Sequence, residues 1–503
     1  MTLADLWRRR PEMRRRLPRR RSRRSFKGAD TGRLLFGWNS APRNPDSIVL
    51  DALRVLRARS RDLYYNSPLV RNFVSMVTSN VAGPKGATLQ ARATFPDGKL
   101  DSVANTAIES AWGRWGRSAY CDIRGRLSWP EMQAQAAAQA AVDGEILARI
   151  FTDTDLGDFA FSVQHLDTEL LDVSYNETLT GGRYIRMGIE FDSMGRALAY
   201  HLLNESDYLV GGSISQKYTR VPAADIIHTF VPGQVGQSRG YPWTATAMQR
   251  LKMLDAYQEA ALAATLAGAS KMGFITTATG DEYQGDDIDS DGAVISDFEP
   301  GIIEELPEGQ EFTAFDPRYP HEQYSDFVKA VLRDIAGALG VAYEGLSNDR
   351  EKVNYSSIRA GVLEEREVWK RVQNWFIDGY CRPIYLRWLK MALLTGQITT
   401  ASGAVLRPDK LDKYTQVVFQ PRRWAWVDPK KDMEANILAI QNNVSTVSAV
   451  IRDQGADPEE VFTERAKELK RLEELGLMSV GAPAAAASDS TPEGGNNADD
   501  EDR

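Results

Sequence analysis

Apolar positions recur at helical spacing between Ser47 and Val81, where Leu50, Leu53, Leu56, Leu63, Leu69, Val70, Phe73, Val74 and Val77 follow one another. Pro68 predicts a break in that run, and Gly83-Pro84 predicts its end. Two more helices are expected over 101–115 and 129–143, the second with Ser128 as its cap. The period then changes from 3.6 to two. Runs at 145–151, 159–166, 184–191 and 197–203 read as strands, and Asp192-Ser193-Met194-Gly195 turns the last two into a hairpin. A further strand over 226–231 stops at Pro232. Residues 48–235 are thus expected to form an α+β domain with a small antiparallel sheet.

Helical spacing returns over 244–267, with Met248, Leu251, Leu254 and Leu262 on one side and alanine dominating the second half. Residues 273–316 are short-patterned and β-like. A strong amphipathic helix follows at 322–339, striped by Phe327, Val328, Val331, Leu332, Ile335, Ala338 and Leu339 and stopped by Gly340. A loop over 341–355 leads into a long helix from Ser356 to Leu394, with a kink expected at Pro383. After a β-like run at 415–420 come helices over 430–453 and 458–475, the last opened by Asp457-Pro458-Glu459-Glu460. The low-complexity acidic segment 481–503 and the arm 1–47 are expected to lack fixed structure, and no internal repeat is evident.

Charge changes this picture at one end. Residues 1–27 carry Arg8, Arg9, Arg10, Arg14, Arg15, Arg16, Arg19, Arg20, Arg21, Arg23, Arg24 and Lys27 against Asp5 and Glu12 alone. The remainder then has 49 basic and 67 acidic residues, a net charge of −18 within a chain total of −8. A basic arm can neutralise phosphates. An acidic body repels phosphates, so the chain is not expected to grip nucleic acid along its main surface. Such a mixture suits a protein that touches DNA without holding it.

Two cysteines in 503 residues, Cys121 and Cys381, exclude a disulfide framework and cannot alone build a zinc site. The apolar runs fall short of the roughly 20 residues that span a bilayer. The cationic start has no apolar segment after it, so neither a secretory signal nor a membrane partner is expected.

Gly236-Gln237-Ser238-Arg239-Gly240 matches G-x-S-x-G, the nucleophile elbow of serine hydrolases. Pro232-Gly233 interrupts the approach, Tyr241-Pro242 delays the helix, and His321 is the one histidine after Ser238. A glycine-rich connector is the plainer reading, with a Ser238 hydrolase as the alternative. Asp287, Asp289, Asp291 and Gly292 copy half of a calcium loop, but Phe298 stands at the twelfth position, where a bidentate glutamate belongs. His165, His201, His228 and His321 lack metal-ligand spacing, and no phosphate-binding G-x-x-x-x-G-K-[ST] loop exists. No enzyme activity and no cofactor are therefore expected. A DNA-binding regulator using the arginine arm is a further alternative.

Three stretches resemble the lambda-type family of phage portal proteins. They are Gly236–Gly240 followed by Met248-Gln249-Arg250-Leu251-Lys252-Met253-Leu254-Asp255, then Ile335–Ser347 with Asn354–Ala360, and more loosely Ala141-Val142-Asp143-Gly144-Glu145. The resemblance implies a helix-rich α+β, portal-type subunit with wing, stem, clip and crown, assembling into a ring of about twelve copies. Laid on the chain, 1–47 is the basic arm, 48–235 the wing and 236–270 the first stem helix. The clip-like insertion is 271–320, the second stem helix 321–340 and the tunnel loop 341–355. The segment 356–429 is the long kinked helix joining wing to crown, 430–480 the crown and 481–503 the tail. The resemblance further implies double-stranded DNA in the channel, with Tyr343, Glu344, Ser347, Asn348, Arg350 and Lys352 facing it. Implied partners are the terminase large subunit, head–tail adaptor proteins, the major capsid protein and scaffold. The implied location is the virion, at one capsid vertex, after assembly in the host bacterial cytoplasm.

Overall fold

The computed structural model describes residues 41–477 with Gly37 and Asn39, except 205–217, 270–272, 278–286, 289–293, 296–309, 315–322, 352–354, 425–427, 455 and 457. The arginine arm, the acidic tail, His321, Lys352 and most of the calcium-like loop lie outside the described residues.

The first helical run is two helices, Pro45–Asn66 and Pro68–Val81, broken where Pro68 opens the second. The Ser102–Trp115 and Trp129–Asp143 helices follow. Ser128 caps the latter in a reciprocal arrangement with Glu131, whose Oε2 accepts from Ser128 N (2.8 Å) and Oγ (2.7 Å).

Antiparallel strands then build two sheets where one was expected. The central strand Glu145–Phe151 pairs with Ser162–His165 on one side and Ile226–Phe230 on the other. Five strands, Glu177–Thr178, Tyr184–Arg186, Ile189–Phe191, Ala197–Leu203 and Tyr218–Pro222, form a meander. The run 184–191, read as one strand, is therefore a hairpin in its own right. Arg186 pairs with Ile189 across Met187 (φ +48°) and Gly188 (φ +82°), the two left-handed residues of a type I′ turn.

Long-range packing joins the second half of the chain to this unit. Thr88–Ala91 pairs with Val417–Gln420. The Tyr355–Phe376 helix continues through one π turn at Ile377–Cys381 into Arg382–Leu394. The irregularity thus lies one turn before Pro383, which has no N–H to bond the preceding turn. Trp388 packs edge-on to Trp112 (4.9 Å between ring centroids), and Tyr380 stacks on Trp129 (5.5 Å, 12°). Such ring pairs contribute about 0.5–1.5 kcal/mol each beyond the area they bury. Residues 377–394 therefore complete the same core as the helices at 102–143.

The Met248–Ala269 and Tyr324–Leu339 helices run antiparallel to each other. Arg250 Nε faces Asp334 Oδ2 at 2.6 Å, and further along Tyr257 stacks on Tyr324. Between them lie two short ribbons, Gly273–Thr277 with Gln310–Ala314 and Asp287–Ile288 with Val294–Ile295. The expected helix at 430–453 is two, Pro429–Gln441 and Val447–Asp453, separated near Asn443 (φ +59°). Pro458–Glu474 is the last described helix. No helix among the described residues is long and apolar enough to cross a membrane.

Candidate functional site

Two of the three stretches singled out in the sequence meet in space. Glu145 opens the central strand with its side chain fully buried, and its carboxylate gathers donors from four residues. Oε1 accepts from Arg57 Nη2 (2.6 Å) and from Arg239 Nη2 (2.6 Å) and Nε (2.9 Å). Oε2 accepts from the Gly240 backbone N (2.9 Å) and faces His228 Nε2 at 3.0 Å. Burial alone would raise the Glu145 carboxyl, but the Arg239 and Arg57 guanidiniums and His228 outweigh it and hold the group well below the usual carboxylate range. Arg239 also donates to the carbonyls of Met187 (2.7 Å) and Leu171 (3.0 Å). Beside this cluster, Arg61 donates from Nε and Nη2 to both oxygens of Asp143 at 2.8 Å and from Nη2 to Asp167 Oδ1 at 2.6 Å.

The glycines in those stretches have a steric reason. A Cβ on Gly240 would sit 2.1 Å from the Gly144 carbonyl oxygen. Gly144 itself adopts φ +91°, and its Cβ would lie 2.1 Å from the Tyr241 carbonyl carbon. Both contacts are with backbone, so neither can be relieved by a rotamer change.

This geometry corrects the hydrolase alternative. Ser238 Oγ donates to Asp46 Oδ2 (2.7 Å), and its backbone N donates to Asp46 Oδ1 (2.7 Å). Arg186 Nη1 also reaches Asp46 Oδ2 at 2.9 Å. A nucleophilic serine needs a general base at its hydroxyl. Here the facing group is a carboxylate in the first turn of the Pro45–Asn66 helix, already shared with an arginine. G-x-S-x-G serves as a connector clamp. The three described strand histidines are engaged too: His165 with Gln135 Oε1 and Tyr380 Oη (2.6 Å each), His201 with Glu190, and His228 with Glu145.

The loop expected over 341–355 contains a short helix, Tyr343–Ser347, closed by the Leu346 N–H on the Ala342 carbonyl (3.1 Å) and with Leu346 buried. Gly340 ends the preceding helix at φ +70° as expected, its N–H reaching the Ala336 and Gly337 carbonyls. Asn72, on the Pro68–Val81 helix, donates Nδ2 to the carbonyls of Gly345 (3.0 Å) and Leu346 (2.8 Å). Tyr343 Oη donates to Asp349 Oδ2 (2.7 Å), and Lys329 Nζ lies 3.2 Å from the same carboxylate and 3.4 Å from Glu351. The Tyr343 hydrogen bond, the Glu351 backbone N–H and Lys329 pull the Asp349 carboxyl down to about 2. The Arg333 guanidinium lies 5.2 Å from the Tyr343 ring centroid.

Of the six residues singled out in this loop, Asn348 (φ +56°) and Arg350 are exposed at its turn. Tyr343 and Ser347 are half-buried and committed to internal hydrogen bonds, and Glu344 is half-buried. Asn72 and Lys329, which brace the loop, were not singled out in the sequence. Asn72 lies on a helix far from the loop along the chain and Lys329 on the helix that leads into it, and only their tertiary placement gives them a role.

Comparison with known proteins gives one consistent result. The family model described as phage portal protein, lambda family, matches residues 31–373. The probable portal protein of Halomonas phage phiHAP-1 is 32% identical over 466 residues, spanning 90% of this chain and 88% of that protein. Portal protein B of Escherichia phage lambda is 24% identical over 511 residues, spanning 91% of each. Among solved structures, a chain from the neck of an empty GTA particle is 13% identical, with a TM-score of 0.42 over 80% of this chain and 94% of that one.

Proposed function

The chain belongs to the lambda family of phage portal proteins, whose general role is DNA packaging, and from that premise we propose how its parts divide the work. About twelve copies close into a ring at one capsid vertex, and double-stranded DNA enters and leaves through the central channel. The antiparallel pair Met248–Ala269 and Tyr324–Leu339 forms the stem around that channel. Residues 271–320 form the clip, which meets the terminase large subunit during packaging and head–tail adaptor proteins afterwards. Residues 48–235 form the wing, and 430–480 the crown. The basic arm 1–27 contacts scaffold, the major capsid protein or DNA during assembly in the host cytoplasm, and the finished ring resides in the virion.

The observation that carries the DNA-facing assignment is the bracing of residues 341–351. Asn72 holds the loop's backbone from one helix while Lys329 holds its carboxylates from another. Asp349 is consumed in that bracing, so the exposed charges at the turn are Arg350 and Glu351, with Lys352 next in sequence. Opposite charges on a braced loop touch a phosphate backbone without the multiple neutralisations that would make DNA stick. The acidic balance of the body supports the same reading.

Native mass spectrometry of the purified chain should give a closed particle of roughly 0.6–0.75 MDa, about eleven to thirteen copies. Arg350→Ala combined with Lys352→Ala should then leave the ring intact and slow packaging in a terminase-driven assay. Unchanged packaging by intact double-variant rings would remove the loop assignment.

A further inference from the structure

A cavity of about 650 Å³ lies between the long Tyr355–Phe376 helix and the two shorter helices Pro429–Gln441 and Val447–Asp453. Neither shorter helix contains a buried residue, and Arg359 Nη2 reaches Asp432 Oδ1 across the cavity at 2.8 Å. Four cations line it: Arg359, Arg366, Lys370 and Arg423. Of the lining carboxylates, Asp432 is engaged by Arg359 and Glu367 by Lys370 (2.5 Å), while Glu364 and Asp453 are exposed to solvent. Arg423 has its Nε buried with no hydrogen-bond partner among the described residues. Arg366 and Arg422 both lie over the Trp424 ring, 5.7 and 6.0 Å from its centroid. Burial, and then the like charge of Arg422, pull the Arg366 guanidinium below its ordinary value, against the influence of Asp432. Like charges gathered around a buried N–H that has nothing to donate to make a seat for an anion.

We propose that the acidic segment 489–502 of the same chain docks in this cavity, a carboxylate of the 499–502 run reaching Arg423 and Arg366 and so fastening the two shorter helices to the long one. The segment carries Asp489, Glu493, Asp499, Asp500, Glu501 and Asp502 and no basic residue. Carboxylates are the natural acceptors for a guanidinium fork. The tether has the right length. Asp453 lines the cavity, and the Pro458–Glu474 helix opens five residues later and extends about 25 Å. From Leu477, the last described residue, Asp499 is 22 residues on, a relaxed chain of about 25 Å. A tether whose relaxed length matches its span gives the highest local concentration of the tethered group. Duplex DNA is excluded as occupant, being too wide for a cavity of this size.

The test uses full-length chains carrying Leu363→Cys on the cavity wall, Ala498→Cys beside the acidic run, or both. Cys121 and Cys381 are fully buried, and burial pushes the Cys121 thiol up to about 12, so neither competes for a thiol-specific crosslinker. With a short bismaleimide and peptide mass mapping, the double variant should link positions 363 and 498 within one chain. Adding Arg423→Glu should cut the yield at least fivefold, whereas Arg423→Lys, which keeps the charge, should retain most of it. An unchanged melting temperature in both variants shows that the fold is not what changed. Deleting residues 1–27 should leave the link in place. Four results overturn the proposal: no link in the double variant, a link indifferent to Arg423→Glu, a link lost with the basic arm, and dimers from mixed single variants in place of the link within one chain. The last would seat a neighbouring copy's segment in the cavity. Each leaves the ring reading standing, because the mass of the wild-type particle tests that separately.

Discussion

Replacing Glu145 with alanine strips one acceptor group from five donors at once: Arg57 Nη2, Arg239 Nε and Nη2, His228 Nε2 and the Gly240 N–H. Arg57 and Arg239 both have no exposed surface, so neither guanidinium can turn to water for compensation. Removing one partner of a buried ion pair costs about 3–5 kcal/mol. Arg239 keeps its bonds to the Leu171 and Met187 carbonyls, which argues for the lower half of that range. At about 1–2 °C per kcal/mol for a unit whose core runs from Val70 to Phe419, the melting temperature should fall by roughly 3–8 °C. Thermal unfolding followed by tryptophan fluorescence reads this directly, at matched protein concentration and with the oligomeric state checked beforehand. The pH dependence gives a second reading. The folded-state pKa is depressed, so the contribution is complete above the unfolded value of about 4.3 and is lost as pH falls through the folded one. The wild-type advantage over Glu145→Ala should therefore be constant from pH 7 to 5 and shrink below about pH 4. A loss under ~1 kcal/mol at pH 7 would refute the reasoning, because it would mean that the two arginines are not relying on this carboxylate.

Gly240→Ala should cost about 3 kcal/mol or more, since its Cβ would meet the Gly144 carbonyl with backbone on both sides, and soluble yield together with melting temperature would register it. Ser238→Ala removes one of three donors to Asp46 and should cost about 1 kcal/mol while rings still assemble; an ester-hydrolysing activity abolished by this change would revive the hydrolase reading. Burial holds His165 neutral down to about pH 4, so between the unfolded value of 6.5 and 4 the unfolded chain takes up a proton that the folded chain refuses. Stability should decline as pH falls through that window, and His165→Gln should flatten the decline in urea unfolding measured at pH 7 and 4.5.

Local signals were legible where the chain's own neighbours decide the structure. Pro68, Ser128 and Gly340 each end or open a helix as their chemistry dictates. The turn inside 184–191 was hidden because Met187 occupies a left-handed position usually marked by asparagine or glycine, leaving Gly188 as the one local sign. Thr88–Ala91 could not be read as a strand because its partner, Val417–Gln420, lies more than three hundred residues away. Arg57 resembled any arginine on an amphipathic helix, since the carboxylate that permits its burial is 88 positions further on. Asn348 and Arg350 were named in the sequence only through the family resemblance, and their braces Asn72 and Lys329 required the tertiary structure.

The charged cluster around Glu145 is best understood as a joint. An apolar core of equal volume would serve stability as well or better, because the desolvation of two arginines and a glutamate consumes much of what their attraction returns. Apolar packing, however, tolerates sliding, whereas bonds to a carboxylate and to named carbonyls fix direction as well as distance. Arg239 takes its bearings from the central strand through Glu145 and from the five-stranded region through Met187. Ser238 takes its own from the first turn of the Pro45–Asn66 helix through Asp46. Gly240 then passes the chain flush against Gly144, eight residues before Met248 opens the helix assigned to the stem. The start of that helix is thereby referenced to three separate elements. In a closed ring every copy must set its stem helix at the same radius, since an angular error repeated around the axis prevents closure. On the proposed assembly, directional precision at this connector is therefore worth more than the modest stability an apolar replacement would add.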